Sequence, residues 1–426
     1  MNYLSMSGEE LKEEREKLLS QFEKYKKKEL KLDMSRGKPC VEQLDISEDM
    51  LKTISCNEDC FTKKGFDCRN YGLVDGLDSA KELFGEILGI AAGQIIVGGN
   101  SSLNLMYDAV TRCLLYGVVG GTGPWIKADS VKFLCPVPGY DRHFGICQSL
   151  GIEMVNVPMT KDGPDMDIVE ELVKDKAVKG IWCVPKYSNP DGITYSDETV
   201  RRFANLKPAS PDFRIFWDNA YCVHDLNDDG DVLLNILDEC EKAKNPNLPF
   251  VFTSTSKITY PGSGVSVVGA SKENIAQIKS IMQMQTIGHD KMNMLRHMKY
   301  FGSADGMKTY MKKHAEILRP KFELVLNELE KEFKDNEIAQ WKSPKGGYFI
   351  SFNVLSGCAK KTVQLAKDLG VVLTEAGATF PYKIDPNDTN IRIAPTFPPV
   401  SELKSAIEVL CLCTKLSCTE KLLEIS

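Results

Sequence analysis

No run of about 18 uninterrupted apolar residues occurs in the 426-residue chain, so a membrane-spanning helix is not expected. The first residues, Met-Asn-Tyr-Leu-Ser, lead at once into charged sequence and lack the apolar core of a secretory signal, which makes the cytoplasm the expected compartment. Broad positive charge is missing too. With 53 Lys and Arg against 59 Asp and Glu, the net charge is −6 and no basic face for nucleic acid or anionic lipid is expected. A small anionic ligand must then be met by positive charge placed locally. Metal-binding patterns are scarce: none of the fourteen cysteines stands in a Cys-x-x-Cys pair, and the five histidines are scattered. Cys56, Cys60 and Cys68 form the one cluster that could hold a metal in principle, and no metal is expected. Cys135, Cys183 and Cys413 lie in or beside apolar runs and read as reduced, buried small hydrophobes. Internal repeats and low-complexity blocks are absent. The stretch Gly117 to Gly123 lacks the Gly-Lys-Ser/Thr ending of a phosphate loop and reads as a flexible connection.

What is present is an ordinary globular composition and a length sufficient for two packed lobes. Ser7-Gly-Glu-Glu10 is a capping-box pattern that opens a charged helix with Leu11, Leu18, Phe22 and Tyr25 on one stripe, expected to pack as an arm on a neighbouring lobe. Leu32 to Pro39 reads as a loop or short strand. Strands are expected at Gln94 to Val97, Val131 to Cys135, Ile152 to Val157, Gly180 to Val184, Phe213 to Trp217, Phe250 to Thr253 and Val265 to Gly269. Helical or loop stretches separate them, which predicts parallel strands with helices on both faces. After Ser271 the period turns helical, with Phe322, Val325, Leu326, Leu329 and Phe333 on one face. Tyr348 to Val354, Val371 to Thr374 and Ile391 to Ala394 then alternate as in a half-buried sheet of a second lobe, closed by a helical tail from Ser401 to Ile425.

Chemistry gathers at three strand ends. One apolar run leads into Pro185-Lys-Tyr-Ser-Asn189, the next into Asp218-Asn-Ala-Tyr221, and the third through Thr-Ser-Thr-Ser into Lys257. Ligands of open α/β sheets bind at such ends. Singly, each residue has a plain structural reading: a solvated lysine, a turn asparagine, a helix-capping aspartate. Together they do not, because 29 residues from Asn189 to Asp218 and 39 from Asp218 to Lys257 leave room for one crossover and one strand each time. The chemistry that needs this set is an aldehyde cofactor with a pyridine ring. Lys257 would hold pyridoxal phosphate as a Schiff base, and Asp218 would keep the ring nitrogen protonated so that the ring accepts electrons. Tyr221 and Asn189 would donate to its phenolate oxygen.

These motifs resemble fold-type I pyridoxal-phosphate enzymes, specifically class I aminotransferases, and further matches run along nearly the whole chain. Tyr71-Gly-Leu-Val-Asp-Gly76-Leu77 is similar to a segment whose tyrosine, the resemblance implies, reaches the cofactor phosphate of the other subunit. Gly98-Gly-Asn-Ser-Ser102 stands at the phosphate-cradling turn, so backbone N–H groups of Gly99, Asn100 and Ser101 at a helix start would meet the phosphate. Pro138-Gly-Tyr140-Asp-Arg-His143 implies that Tyr140 stacks on the pyridine ring and His143 backs the aspartate. Asn390-Ile-Arg392-Ile-Ala-Pro395 implies that Arg392 grips the substrate α-carboxylate with two parallel charge-assisted hydrogen bonds. The wording of Leu32 to Pro39, Cys183 to Pro190 and Thr286 to His297 resembles most the bacterial type Ic subgroup of aspartate aminotransferases. Gly37, Asn189 and Arg36 join Arg392 on the substrate side.

One departure matters: the arginine that many class I aminotransferases carry eight residues after the lysine, on the phosphate, is Val265 here. Hydroxyls of Ser254, Ser256 and Tyr71 would have to help the helix start.

The resemblance implies an α/β fold: a large domain over 61–318 with a mostly parallel sheet flanked by helices, and a smaller α+β domain built from 1–60 and 319–426. It also implies a homodimer with both sites at the interface. The expected reaction is transfer of the amino group from L-aspartate to 2-oxoglutarate by a ping-pong mechanism, with Lys257 as the base that moves the α-proton. A distal carboxylate needs a second cation, for which Arg36, Lys38, Arg142, Lys291 and Arg296 are candidates. An alanine or broad-specificity aminotransferase, or a lyase of the same fold, would share every cofactor residue. A regulatory module that binds the cofactor would need a DNA-binding domain, and the charged arm before Leu32 is too short for one.

Overall fold

The capping box forms as its residues dictate: Ser7 Oγ accepts from the Glu10 amide, Glu10 Oε2 accepts from the Ser7 amide at 2.7 Å, and a helix follows over Gly8–Lys26. Its stripe of Leu11, Leu18 and Phe22 is buried, and Tyr25 donates to Glu408 at 2.9 Å. The arm therefore lies on the C-terminal helix Val400–Ile425. This computed structural model describes residues 2–425.

Among the described residues thirteen strands follow in chain order: β1 Leu32–Asp33, β2 Ile95–Val97, β3 Lys132–Val137, β4 Glu153–Thr160, β5 Gly163–Pro164, β6 Val178–Cys183, β7 Arg214–Asp218, β8 Pro249–Ser254, β9 Ser266–Ala270, β10 Ala339–Trp341, β11 Ile350–Val354, β12 Val371–Val372 and β13 Asn390–Ile393. Eight of them form one sheet in the order β2-β9-β8-β7-β6-β3-β4-β5. The pairs β3–β4, β3–β6, β6–β7 and β7–β8 are parallel. Strand β9 departs from the expected parallel run and lies antiparallel to both β8 and β2. The cause is the connection, which holds two 3-10 turns, Thr255–Lys257 and Pro261–Ser263. It is too short for the helical crossover that a parallel partner requires.

Alternate residues of the central strands feed two cores. Ile215 and Trp217 pack on one face with Phe203 and Val251, while Phe216 packs on the other with Phe133, Trp182 and Phe252. All five residues of β7 are buried, each large apolar side chain contributing about 1.5–3 kcal/mol of burial. The sheet thus fixes the ends of β6, β7 and β8 rigidly.

The chain's two ends share a third core, in which Leu18 and Phe22 meet Phe322, Leu329, Phe352 and Leu410. Strand β1 pairs parallel with β12, Leu32 opposite Val371, and β10-β11-β13 form an antiparallel sheet. The expected half-exposed alternation is corrected here: in β11 and β13 only Asn353 falls short of full burial. The polar residues alternate toward a buried seam instead of toward water. Asn390 Nδ2 donates to Ser351 Oγ at 3.0 Å and Asn353 Oδ1 at 2.9 Å, and Thr379 donates to Asn390 Oδ1 at 2.8 Å. Arg392 stands opposite Ser351 on that seam. The 371–374 strand shrinks to β12, which joins β1 and not the three-stranded sheet.

The Gly117 to Gly123 stretch is also not a free connection. Thr122 donates through its amide and its hydroxyl to Asp212 at 2.6 and 2.7 Å, and a Cβ on Gly121 would meet Asp212 Oδ1 at 2.4 Å. All fourteen cysteines are free and only Cys56 is exposed. Among the described residues no helix is long and apolar enough to cross a membrane, and no group of three His, Cys, Asp or Glu is placed to hold a metal ion.

Candidate active site

Asp218 is the last residue of β7 and is buried. Its Oδ2 lies 3.0 Å from His143 Nε2, and that ring is stacked on Trp182 at 4.4 Å between centroids. Its Oδ1 is buried without a hydrogen-bond partner among the described residues. A carboxylate oxygen left so is costly, by about 1–3 kcal/mol or more for a charged group, and its environment favours a cationic N–H.

Lys257 closes the short 3-10 turn after β8. Burial pushes its amine below the ordinary lysine pKa; Asp218 opposes that shift and Arg392 adds to it. Its Nζ lies 5.0 Å from the centre of the Tyr221 ring. Burial holds the Tyr221 phenol well above its ordinary pKa, so it remains a proton donor. The Lys257 carbonyl accepts from Tyr348 Oη at 3.1 Å and from His224 Nε2 at 3.3 Å. Gln43 in turn donates to Tyr348 Oη at 2.9 Å and reaches His314 Nδ1 at 2.7 Å. The lysine backbone is thereby tied to the N-terminal segment through Gln43 and to Tyr348, two residues before β11. Desolvation and the nearby Lys257 keep His224 neutral. None of Gln43, His224, His314 and Tyr348 stands out in the sequence; only His224, three residues after Tyr221, could have been drawn in by proximity.

Asn189 is buried, and its Oδ1 accepts from Arg392 Nη1 at 3.3 Å, which leaves its amide N–H groups free to donate. Tyr140 sits at the N-cap of the helix Asp141–Ser149, edge-on to His143 at 4.9 Å.

Gly99, Asn100 and Ser101 lead into the helix Ser102–Tyr116, with Ser101 Oγ capping it through the Leu103 amide at 3.2 Å. The end of β8 meets this turn: Ser256 Oγ donates to the Asn100 carbonyl at 3.1 Å, and Ser254 Oγ donates to Ser256 Oγ at 3.0 Å. Gly264 is required nearby, since a Cβ there would stand 2.7 Å from the Asn100 carbonyl. Val265 is buried, its amide donating to Thr255 Oγ1 at 2.9 Å, and it brings no charge to the cradle. A ring from the Thr286 to His297 segment approaches: His289 Nδ1 stands 3.7 Å from where a Cβ on Gly99 would lie. Tyr71 is 78 % exposed and is not brought to this cradle within the chain.

On the substrate side, Arg392 is buried in β13 with its guanidinium 4.8 Å from the Phe349 ring. Nη1 donates to Asp141 Oδ1 at 2.9 Å, and Nε has no partner among the described residues. Gly37 lies against the other reach of Phe349, where a Cβ would meet the ring at 2.3 Å. Arg36 is exposed beside it, and the Lys38 amine lies 3.8 Å over the Phe397 ring. Arg142 is exposed next to Asp141. The other two cation candidates are engaged away from this cluster: Lys291 is buried and donates to the His289 carbonyl at 3.5 Å, and Arg296 donates to Ser263 Oγ and Asn293 Oδ1.

This donor set fits pyridoxal phosphate. It offers an unpaired buried carboxylate oxygen, a protonated phenol and a free amide, a desolvated lysine, and a helix start lined by two serine hydroxyls.

The family model for aspartate amino-transferase matches residues 6–425. An aspartate aminotransferase of Corynebacterium glutamicum is 44% identical over 405 residues, spanning 95% of this chain and 94% of that protein. The crystal structure of an aspartate transaminase from Corynebacterium glutamicum superimposes with a TM-score of 0.97 at 42% identity, covering 99% of both chains. The α-aminoadipate aminotransferase LysN of Thermus thermophilus, solved with N-(5'-phosphopyridoxyl)-L-leucine, shares the fold at a TM-score of 0.73 and 18% identity, with 92% of this chain and 93% of that one covered.

Proposed function

We propose, for a chain that belongs to the aspartate aminotransferase family, that it moves the amino group between L-aspartate and 2-oxoglutarate with pyridoxal phosphate as cofactor, giving oxaloacetate and L-glutamate. The observation that carries this reading is the Asp218 carboxylate, one oxygen held by His143 and the other buried and unpaired, in the electrostatic reach of a desolvated Lys257 amine. When bound, the cofactor's protonated ring takes up the electron pair released at the substrate α-carbon. Lys257 would hold the cofactor and, once free, remove the α-proton; its lowered pKa lets the neutral amine persist closer to neutral pH. Asp218 would keep the ring nitrogen cationic, Tyr221 and Asn189 would donate to the phenolate oxygen, and Tyr140 would cover the ring. Gly99, Asn100, Ser101, Ser254 and Ser256 would bind the phosphate.

A homodimer is part of this reading: the exposed Tyr71 of each chain would complete the phosphate site of the other. Residues 1–60 and 319–426 would form the smaller lobe, which brings Gly37 and Arg392 to the substrate. Mixing the cofactor-loaded protein with aspartate should bleach its visible absorption, and 2-oxoglutarate should restore it. Intersecting double-reciprocal plots, with no half-reaction detectable, would count against the scheme.

Arg392→Lys tests the carboxylate fork. Loss of one charge-assisted hydrogen bond, about 1.5–3 kcal/mol, should raise KM for both substrates by about 10- to 100-fold; an unchanged KM would move the α-carboxylate elsewhere. For the distal carboxylate we assign Arg36, the cation flanking Gly37 that has no side-chain partner among the described residues. Arg36→Ala should lower kcat/KM for aspartate by about tenfold, or about 1.4 kcal/mol, and leave alanine turnover alone. Equal losses on both donors would remove Arg36 from that role.

A further inference from the structure

The ion pair between Arg392 and Asp141 places a carboxylate on one side of the guanidinium only. Asp141 is the first residue of its helix, where an acid is ordinarily favoured by the helix dipole. Its side chain is 35% exposed while that of Arg392 is only 7% exposed, so the pair joins a buried cation to a partly hydrated carboxylate. Its geometry is more telling. Asp141 Oδ1 and Asn189 Oδ1 both sit on Nη1, at 2.9 and 3.3 Å, and the guanidinium face lies on Phe349. Among the described residues Nε is buried with no partner, and the guanidinium's two hydrogen bonds are both made by Nη1, none by Nη2. One whole edge of the guanidinium, Nε with Nη2, is therefore left open, and that edge has the spacing to fork a carboxylate.

We propose that Asp141 is a positioning residue for substrate binding: through a single hydrogen bond on Nη1 it sets the guanidinium plane so that the Nε and Nη2 edge faces the substrate carboxylate, and its negative charge weakens that grip enough for product to leave. The two effects oppose each other, and side-chain chemistry separates them. An asparagine at 141 keeps an acceptor for Nη1 and loses the charge; an alanine loses both. The proposal rests on the reading of Arg392 as the α-carboxylate site.

The test uses the cofactor-loaded enzyme and succinate, a dicarboxylate with no amino or oxo group to transfer, so that binding is read by calorimetry apart from turnover. Asp141→Ala should weaken succinate and raise KM for aspartate and 2-oxoglutarate by about tenfold, with kcat changed much less. Asp141→Asn should recover wild-type binding or exceed it. An Asp141→Ala enzyme with unchanged binding, a fall in kcat without a change in KM, or an Asp141→Asn enzyme as weak as the alanine variant would each overturn the role. Failure of the parent reading would look different: the unmodified enzyme would not bind succinate at all.

Discussion

Lys257→Ala is expected to slow transamination by more than about 10⁴-fold, the upper range for removal of a positioned proton-transfer group, and to abolish the visible absorption that the wild-type protein takes on with pyridoxal phosphate. Both losses would follow from the two tasks proposed for one amine, tether and base. Its surroundings are built for this. Burial disfavours the ammonium form, Arg392 disfavours it further, and Asp218 alone favours it. The net direction is downward, so the neutral base becomes available as pH rises through a value below that of an ordinary lysine, and the rate should rise over the same interval. Lys257→Arg makes the control, since arginine keeps a cation in place but cannot give it up near neutral pH. Borohydride treatment of the loaded wild type, followed by peptide mapping, should label position 257. Label elsewhere, or visible absorption retained in the alanine variant, would remove Lys257 from the chemistry.

The ends of β6, β7 and β8 are legible because each strand is a short apolar run cut off by a polar residue, and a sheet buried on both faces turns that boundary into a site edge. Local pattern alone places Asn189, Asp218 and Lys257 at or after the ends of these strands, where the structure has them. Arg392 is not: its strand alternates polar and apolar residues like a half-exposed one, and only its likeness to a known motif pointed inward. The seam of Ser351, Asn353 and Asn390 that buries it depends on cross-strand register, which local pattern does not carry. Tyr348 and Asp141 are further from reach. They act across 91 and 251 positions of chain, on the Lys257 carbonyl and on Arg392, and such contacts are set by tertiary packing between distant segments. The direction of β9 was within reach, since the connection from Thr255 to Val265 can be measured against the length a crossover needs. Val265 shows the converse: its lack of charge is plain in the sequence, while the nearness of His289 to Gly99 is visible only in three dimensions.

Asp218→Asn should cost turnover about 10³-fold, and should do so without destabilising the protein that lacks cofactor. The two halves of this expectation come from the same atoms. Oδ2 is held by His143 at 3.0 Å, and Oδ1 is buried with nothing to accept. With a cationic ring nitrogen opposite, that oxygen completes a buried charge pair, and removing one partner of such a pair costs about 3–5 kcal/mol, which spans the expected rate loss. Without the cation, the carboxylate is a liability, because an ionised group is desolvated and incompletely paired. The neutral amide relieves that penalty while keeping the side chain's size and one contact to His143. The melting temperature of the cofactor-free variant should therefore match or exceed that of the wild type, while the stabilisation gained on adding pyridoxal phosphate should shrink. A purely structural role for Asp218 makes the opposite forecast: a lower melting temperature with and without cofactor, and turnover lost only in proportion to unfolded protein. Calorimetry of both forms, beside kcat at saturating cofactor, decides between them.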